Sequence, residues 1–455
     1  MAQTILTAVL EIEPASEAIL RRRIPELLSS DKTTRDKLFA GVPTLHFMSL
    51  TVFRDHQYDP IFVLEANFDG PAGPFWAQLE ATLGDELREL LRYCRAPRGK
   101  SATLFDAVTK PGSRAPIAPL LEASTVFPAA QHQGNRGLDR NRIRNEASLF
   151  AAAQYELDRG IAQTLDSPVQ IHSAMRSALL PNFSWLDDPP PRRIGVGENL
   201  LDQLRLWVFL PALILGILFL AAMPGLLLGC WVSGCGRWPA ILLGLLSVVA
   251  IMGSMVIAFR RSEIRDPPLD APQIDPAKLQ AMEQAEDKIA QNHMISLVHL
   301  KPGVLRGIVA RASLLVVGYN VRATARTGYL RSMRTIHFAH WALVGNGSRL
   351  MFHSNYDGSW ESYLDDFIEK AHQGLTAVWT HGVGFPPTTW LVSKGATSGG
   401  RFKDWARHSM SQSQFWYSAY PEYSVNQIER HARVADGLRK KGMREKEGAQ
   451  WALDL

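Results

Sequence analysis

Two histidines, His340 and His353, flank the dipeptide Asn346-Gly347 in the second half of the chain. That dipeptide is a strong signal for a two-residue turn between antiparallel strands, and counting outward from it makes the two histidines direct cross-strand neighbours. Neutral imidazole offers a lone pair to a metal or to haem iron and titrates near neutral pH. The pair therefore predicts either a site that binds a metal or haem iron or transfers protons, or a hydrogen-bonded polar pair that only stabilises the sheet interface.

The first half carries a segment that matches this hairpin. Residues 45–70 and 336–358 both begin with an aliphatic residue followed by His-Phe, and both end in Asn-aromatic-Asp-Gly. The second segment is three residues shorter, and the difference falls in the turn between its strands. Matched patterns in the same order indicate an internal repeat. The closing Asp-Gly pair also suits a strand end whose carboxylate satisfies the free amides of the next helix.

Strand alternation places the polar residues of both segments on one face. His46 and His337, which match across the repeat, fall on the opposite face, where helices would cover them, and we interpret both as structural. The polar face predicts a cavity between two sheets. Its expected lining consists of Ser49, Glu65, Asn67, His340, Arg349, His353 and Asn355.

Hydrophobic periodicity extends the repeat to a βαββαβ pattern in each half. In the first half, strands are predicted at 4–12, on either side of the turn in 45–70, and at 124–130, with helices at 16–28 and up to residue 93. In the second half, strands are predicted at 294–300, 335–344, 349–355 and 375–381, with helices from 304 and at 359–372. Because each such sheet leaves one face uncovered, the predicted fold is α+β, with two ferredoxin-like repeats packed sheet to sheet.

This organisation resembles the dimeric α/β-barrel superfamily, and dye-decolourising haem peroxidases in particular, over most of both soluble halves. Those peroxidases carry a Gly-x-x-Asp-Gly motif whose Asp lies on the distal side of the haem. In this chain the matching stretch ends in Asp69-Gly70, and Ala66 stands at the position of the first glycine.

The resemblance implies that haem is bound between the two repeats and that a histidine of the second half is its proximal ligand. The candidate ligands are His353, His340 and His381. With the polar lining of the predicted cavity, the resemblance gives four candidate catalytic residues, namely Glu65, Asp69, Arg349 and Asn355.

Two charge-free apolar segments, 206–229 and 238–259, separate the halves. Each is long enough to cross a hydrocarbon core of roughly 30 Å as a helix that rises about 1.5 Å per residue. Arginines flank the outer ends of the pair, whereas the turn between them carries only Arg237. The positive-inside rule therefore predicts a transmembrane hairpin in the cell membrane, with both termini cytoplasmic. Cys230 and Cys235 of that turn either oxidise to each other or have no role.

Proline-rich stretches near both ends of the hairpin predict the domain boundaries. The expected units are a first ferredoxin-like domain with a trailing helix (1–186), a linker (187–205), the hairpin (206–259), a second linker (260–285), a second ferredoxin-like domain (286–390) and a helical extension with a basic tail (391–455). The tail, residues 430–446, is either attracted to anionic lipid headgroups or is a solvated charged helix.

The 455 residues are 46% apolar and 20% charged, with a formal net charge of +5, which supplies ordinary packed cores. The sequence has no basic stripe interleaved with aromatics, so a nucleic-acid partner is not expected. It also has no phosphate-binding glycine loop, nucleophile elbow or His-Glu-x-x-His motif, which disfavours nucleotide hydrolysis, serine esterase and zinc protease chemistry. The three cysteines provide no disulfide framework or cysteine-based zinc site in the soluble regions.

These observations lead to the hypothesis of a membrane-tethered, peroxidase-like oxidoreductase that acts on a peroxide or on an oxidisable substrate near the membrane. Two alternatives stay open. One is a cofactor-free monooxygenase of the same superfamily. The other is a non-catalytic membrane protein whose paired domains bind a lipid, a small ligand or a protein partner.

Overall fold

The structure, a computed structural model, describes residues 2–29, 32–55, 57–163, 165–234, 236–266, 274–324 and 333–455. In these ranges the chain forms a mixed α and β protein with antiparallel sheets. The strands are β1 (Gln3–Glu11), β2 (Leu45–Phe53), β3 (Ile61–Asp69), β4 (Thr125–Val126), β5 (Ala130–Gln133), β6 (Gln291–His299), β7 (Ile336–Val344), β8 (Arg349–Asp357), β9 (Thr388–Thr389), β10 (Ser393–Lys394), β11 (Met410–Ser411) and β12 (Phe415–Ser418).

The helices surround the sheets or stand apart from them. They are α1 (Glu17–Leu27), α2 (Lys32–Gly41), α3 (Ala72–Leu91), α4 (Lys100–Thr109), α5 (Ala118–Ala123), α6 (Arg140–Asp158), α7 (Pro168–Leu179), α8 (Val196–Leu204), α9 (Leu210–Ser233), α10 (Arg237–Arg265), α11 (Pro276–Ala285), α12 (Val304–Thr324), α13 (Trp360–Trp379), α14 (Gly399–Ser409), α15 (Val425–Leu438) and α16 (Glu445–Ala452).

Among the described strands there are two five-stranded sheets whose orders correspond, β12-β2-β3-β1-β4 in the first and β5-β7-β8-β6-β11 in the second. Each sheet receives an edge strand from the other half of the chain. Strand β5 pairs with β7 of the second sheet, and β12 pairs with β2 of the first. The halves are therefore interleaved, because each one completes the sheet of the other.

The two sheets pack face to face. Their outer faces are buried under helices, chiefly α1 and α3 on the first sheet and α12, α13 and α14 on the second. A separate hydrophobic cluster joins the inner faces, with Phe53 and Val63 on the first sheet and Ala342 and Met351 on the second. This packing leaves the middle of the inner faces out of contact with bulk water.

The strand predicted at 375–381 is wrong. Residues up to Trp379 continue α13, which bends at Ala371 and buries Leu375, Val378 and Trp379 against the second sheet. A short apolar run is compatible with the periodicity of a strand and with that of a helix. Here the buried side chains are spaced by three to four residues or adjacent, as on one face of a helix. The strands that complete the sheets, β11 and β12, lie in the segment predicted as a helical extension. Residues 124–130, predicted as one strand, contain β4 and the start of β5, which join different sheets.

The predicted basic tail begins in α15, which packs on α6 rather than standing free. The guanidinium of Arg433 pairs with Asp454, and that of Arg439 lies 4.5 Å above the ring of Trp185. A solvated helix is therefore not what the structure shows for this part of the tail.

Three described helical segments are long and apolar enough to cross a membrane, namely Val196–Val232, α10 and α12. The first two contain the predicted hairpin. In it α9 and α10 approach closely at small residues, because a Cβ added to Gly225 would lie 1.9 Å from the carbonyl oxygen of Leu243. Helix α12 also packs on β5 and α13 of the α/β body. Cys235 and three prolines of the second predicted linker, Pro267, Pro268 and Pro272, lie outside the described residues.

We expect the hairpin to be dispensable for the α/β fold. Among the described residues, none of α9 or α10 belongs to the clusters buried around the two sheets. Replacing residues 206–259 with a flexible Gly/Ser linker should give a protein that stays soluble without detergent and melts cooperatively, as measured by size-exclusion chromatography and near-ultraviolet circular dichroism. Loss of the cooperative transition would show that the hairpin is part of the folding core.

Candidate functional site

Polar side chains of the two sheets meet at the centre of the inter-sheet space. The hydroxyl of Thr7 on β1 lies 2.9 Å from Nε2 of His340 on β7. The carboxylate of Glu65 on β3 lies 4.0 Å from Nδ1 of His353 on β8. All four side chains are fully buried. We call Glu65, His293, His340, His353 and Asn355 the inter-sheet cluster.

The two predicted neighbours His340 and His353 do face each other across the β7–β8 ladder. Their rings are stacked, with centroids 4.5 Å apart and planes 10° from parallel. The ladder ends at Val344 and Arg349, so the turn has four residues instead of two, but the register is as predicted. Burial, with a smaller contribution from repulsion by His293, lowers the pKa of His340 to about 3. Burial likewise lowers the pKa of His353, so both rings are neutral at pH 7.

Glu65 projects from the middle of β3 and is held by its neighbours. The hydroxyl of Ser49 donates to Oε2 at 3.1 Å, and the side-chain amide of Asn67 donates to Oε1. Burial raises the pKa of Glu65 to about 7, because these hydrogen bonds only partly offset the loss of hydration. The three predicted polar residues of the first sheet are therefore in one hydrogen-bonded group.

His293 on β6 joins the cluster through Asn355. The indole N–H of Trp416 donates to Oδ1 of Asn355 at 2.9 Å, which identifies that atom as an oxygen because indole can only donate. Nδ1 of His293 lies 3.2 Å from the same oxygen and must therefore be the protonated ring nitrogen. The other nitrogen, Nε2, then carries a lone pair. Burial lowers the pKa of His293 to about 4, so this tautomer is neutral at pH 7.

Several ring nitrogens of the cluster are buried without a hydrogen-bond partner among the described residues. They are Nε2 of His293, Nδ1 of His340 and both nitrogens of His353. Unpaired buried polar atoms are rare in folded proteins, and each one calls for a bound water, an ion or a functional reason. One ligand atom each from Glu65, His293 and His353 lie within 4.8 Å of one another.

The structure does not bring Arg349 into the cluster. It stands at the start of β8, four residues or about 13 Å along the strand from His353. Its guanidinium lies 3.2 Å from Asp55 and 4.8 Å above the ring of Tyr58, and Asp55 also binds His299 at 2.8 Å. These contacts hold the guanidinium of Arg349 at the edge of the inter-sheet space, away from the inter-sheet cluster.

Asp69 is placed at the end of β3, where it connects a histidine to a helix. Its Oδ1 lies 3.0 Å from Nε2 of His46, and its Oδ2 accepts the backbone N–H of Arg140 at 2.8 Å. It therefore accepts a free backbone N–H in the first turn of α6. The sequence suggests instead that Asp69 would do this for the next helix along the chain, which is α3. Asp357 repeats the arrangement with Nε2 of His337 at 2.7 Å and the backbone N–H of Val425, at the start of α15, at 2.7 Å.

The face predicted for His46 and His337 is wrong. Strands β2 and β7 shift register at these two residues, which interrupts the alternation on which the prediction depends. The ring of His46 packs 5.5 Å from Phe338 of the opposite sheet, and that of His337 packs 5.3 Å from Phe47. Both histidines therefore contact the opposite sheet.

His381 does not lie at the end of a strand but in the turn after α13. Its backbone carbonyl accepts the N–H of Lys301 at 2.8 Å, and its ring is buried. Burial, followed by the positive charges of Arg306 and Lys301, lowers its pKa to about 4. It is a neutral histidine near the start of α12, outside the inter-sheet cluster.

Sequence reasoning missed two members of the site. It placed the start of the strand that forms β6 at residue 294, one position after His293, and it gave Trp416 no role. The signal for His293 was present, because the alternation that places Ile295 and Leu297 against the inner face extends back to it.

Haem does not fit the cluster as it is packed. A porphyrin bound to His340 or His353 would occupy the space that Thr7 and Glu65 fill from the opposite sheet. The donor set suits a single ion better than a macrocycle, since two imidazoles and a carboxylate converge on one point. No family model, curated protein or solved structure matches this chain.

Removing the charge of either capping aspartate should destabilise the fold by a similar amount. We expect Asp69→Asn and Asp357→Asn each to lower the free energy of unfolding by about 2–4 kcal/mol, because each leaves a buried histidine and a helix terminus without their anion. The measurement is denaturant unfolding in detergent. The control is Asp85→Asn, whose side chain is 98% exposed and which should change little. Equal effects in all three variants would contradict this role.

Buried His381 should make the fold sensitive to acid. Between pH 6.5 and 4 it is protonated in the unfolded chain but stays neutral in the folded one, so stability falls as the pH falls, by up to about 1.4 kcal/mol per pH unit. The variant His381→Gln should lose that part of the slope when unfolding is measured across this range. An unchanged slope would show that His381 titrates normally in the folded protein.

Proposed function

We propose that the protein is a membrane-tethered oxidoreductase whose working centre is the inter-sheet cluster. The observation that carries the proposal is the group formed by Glu65, His293 and His353, in which imidazole lone pairs and a carboxyl converge in a buried space. Unpaired polar atoms in such a place destabilise a fold, so their presence favours a functional role over a structural one.

The proposed fold is a pair of ferredoxin-like βαββαβ repeats, as in a dimeric α/β barrel. Three observations support it: the corresponding strand orders of the two sheets, the exchanged edge strands, and the register shifts at His46 and His337. In this arrangement Glu65 and His353 occupy equivalent positions, because each is the fifth residue of the third strand of its repeat. The site then lies where the two repeats meet.

The proposed topology has α9 and α10 crossing the membrane, with both sheets and both termini on the cytoplasmic side. Both ends of the hairpin are tied to the α/β body. Asp202, just before the first span, binds Arg136 at 2.6 Å and Arg322 at 3.1 Å. Asp266, just after the second, binds Lys301 at 2.6 Å and Arg306 at 2.7 Å. Ion pairs at both ends support a single body on one membrane face.

The proposed substrate is a small oxidant such as a peroxide, together with an electron donor close to the membrane. Access would come from the side of His293 and Trp416, which are partly exposed, whereas His340 and His353 are fully buried. The stacked rings of His293 and Trp416, 6.0 Å apart and 13° from parallel, connect that side to the centre.

A pocket of about 630 Å³ favours a second candidate function, the non-catalytic binding of a lipid. It lies beside the end of α10, and its lining contains Phe385, four basic residues and two acidic ones, namely Arg261, Arg265, Lys301, Arg306, Glu263 and Asp266. Basic groups next to a membrane helix attract anionic headgroups. In this function the inter-sheet cluster would only stabilise the paired sheets.

The test is peroxide-dependent oxidation of a phenol by the detergent-purified, full-length protein. We expect turnover that falls at least about 100-fold in Glu65→Gln and in His353→Gln, since both remove a group that handles protons or an ion at the centre. His431→Gln is the matched control, because it removes a buried histidine that packs against Phe150 on α6. Absence of turnover in the wild type, with binding of anionic vesicles retained, would favour the lipid-binding function instead.

A further inference from the structure

The three side chains Glu65, His293 and His353 come from three different strands and converge on one point. Their ligand atoms lie within 4.8 Å of one another, and the closest approach of Glu65 to His353 is 4.0 Å. Two imidazoles and a carboxylate are a recurring ligand set for divalent zinc and for non-haem iron.

The groups around these side chains orient them as partners of metal ligands do. Asn355, itself fixed by Trp416, accepts a hydrogen bond from the Nδ1–H of His293 and leaves the lone pair of Nε2 directed away from that contact. Ser49 and Asn67 hold the carboxylate of Glu65. Hydrogen bonds of this kind fix the tautomer and direction of a ligand, and metal sites depend on them.

A shared proton is a poorer explanation of the same arrangement. A hydrogen bond between Glu65 and His353 would need a separation of about 3 Å, and the observed distance is 4.0 Å. His353 has no hydrogen-bond partner for either nitrogen among the described residues, so a proton on Glu65 alone would leave it unsatisfied. An ion placed between the three groups would bind one carboxylate oxygen of Glu65 and one nitrogen of each histidine.

We propose that Glu65, His293 and His353 bind one divalent transition-metal ion between the two sheets. The proposal deepens the proposed function, because it names the cofactor of the same site, and it rests on that function only for the redox role of the ion. Zinc, iron and manganese ions bind such ligands at about 2.0–2.2 Å, which places the ligand atoms about 3.4 Å apart in a tetrahedral site. Closing from the present separations requires side-chain shifts of about 1 Å.

The remaining coordination position would be open. His340 is held by Thr7 and stacks on His353, so it supports a ligand and is not itself one of the three. Three protein ligands with an open position are typical of catalytic rather than structural metal sites. A small molecule or water would reach it from the side of His293 and Trp416, which are partly exposed.

The experiment measures metal binding by the full-length protein in detergent. The protein is stripped with a chelator and reloaded with Zn²⁺, Fe²⁺, Mn²⁺ or Co²⁺, and the bound ion is counted by mass spectrometry after gel filtration. We expect one equivalent in the wild type, with Co²⁺ giving visible absorption bands of a nitrogen and oxygen site. His293→Gln, Glu65→Gln and His353→Gln should each weaken binding at least about 100-fold.

The control is again His431→Gln, which should bind as the wild type does. His293→Gln is the decisive variant. His293 is partly exposed, so this variant should fold even if the variants of the buried Glu65 and His353 do not, and circular dichroism checks that it has folded. No stoichiometric ion in the wild type, or undiminished binding in a folded His293→Gln, overturns the proposal. Turnover of peroxide without a bound ion would overturn this inference and leave the proposed function in place. A bound ion without any turnover would support this inference and contradict the proposed function.

Discussion

The structure depends on the burial of polar groups between two sheets that face each other. Glu65, His340 and His353 have no contact with water, so each must be neutral, hydrogen-bonded or bound to an ion for the sheets to pack. The lowered pKa of His340 and the raised pKa of Glu65 both follow from this burial. The hydrophobic cluster formed by residues such as Val63 and Met351 supplies the stabilisation that offsets it.

The exchange of edge strands keeps the two sheets in register. Because β5 and β12 each extend the sheet of the other half, a sliding movement between the sheets would break backbone hydrogen bonds on both. Asp69 and Asp357 add a second constraint, since each connects the end of its sheet to a helix far along the chain. The inter-sheet cluster is thus positioned by backbone pairing rather than by loops, which suits a site that needs sub-ångström placement.

The sequence predicted much of the fold because its strongest signals are local. The turn at Asn346-Gly347 set the pairing of His340 with His353, and charge-free length identified the apolar hairpin. The predictions from sequence were wrong where tertiary contacts decide the secondary structure or the face of a strand. Residues 375–381 fit a strand as well as a helix until their burial on the second sheet is known, and the shifts at His46 and His337 reverse a simple alternation. Strand alternation could have placed His293 on the inner face, but its hydrogen bonding through Asn355 depends on Trp416, more than a hundred residues away, which no local pattern supplies.

The inner faces of the two sheets are in direct contact through their polar residues. A double-mutant cycle between Thr7→Val and His340→Phe tests it, because these side chains come from opposite sheets and lie 2.9 Å apart. The free energies of unfolding of the wild type, both single variants and the double variant are measured in the same detergent. The account predicts a coupling of about 1 kcal/mol. Additive effects, with no coupling, would contradict the face-to-face packing on which the site is built.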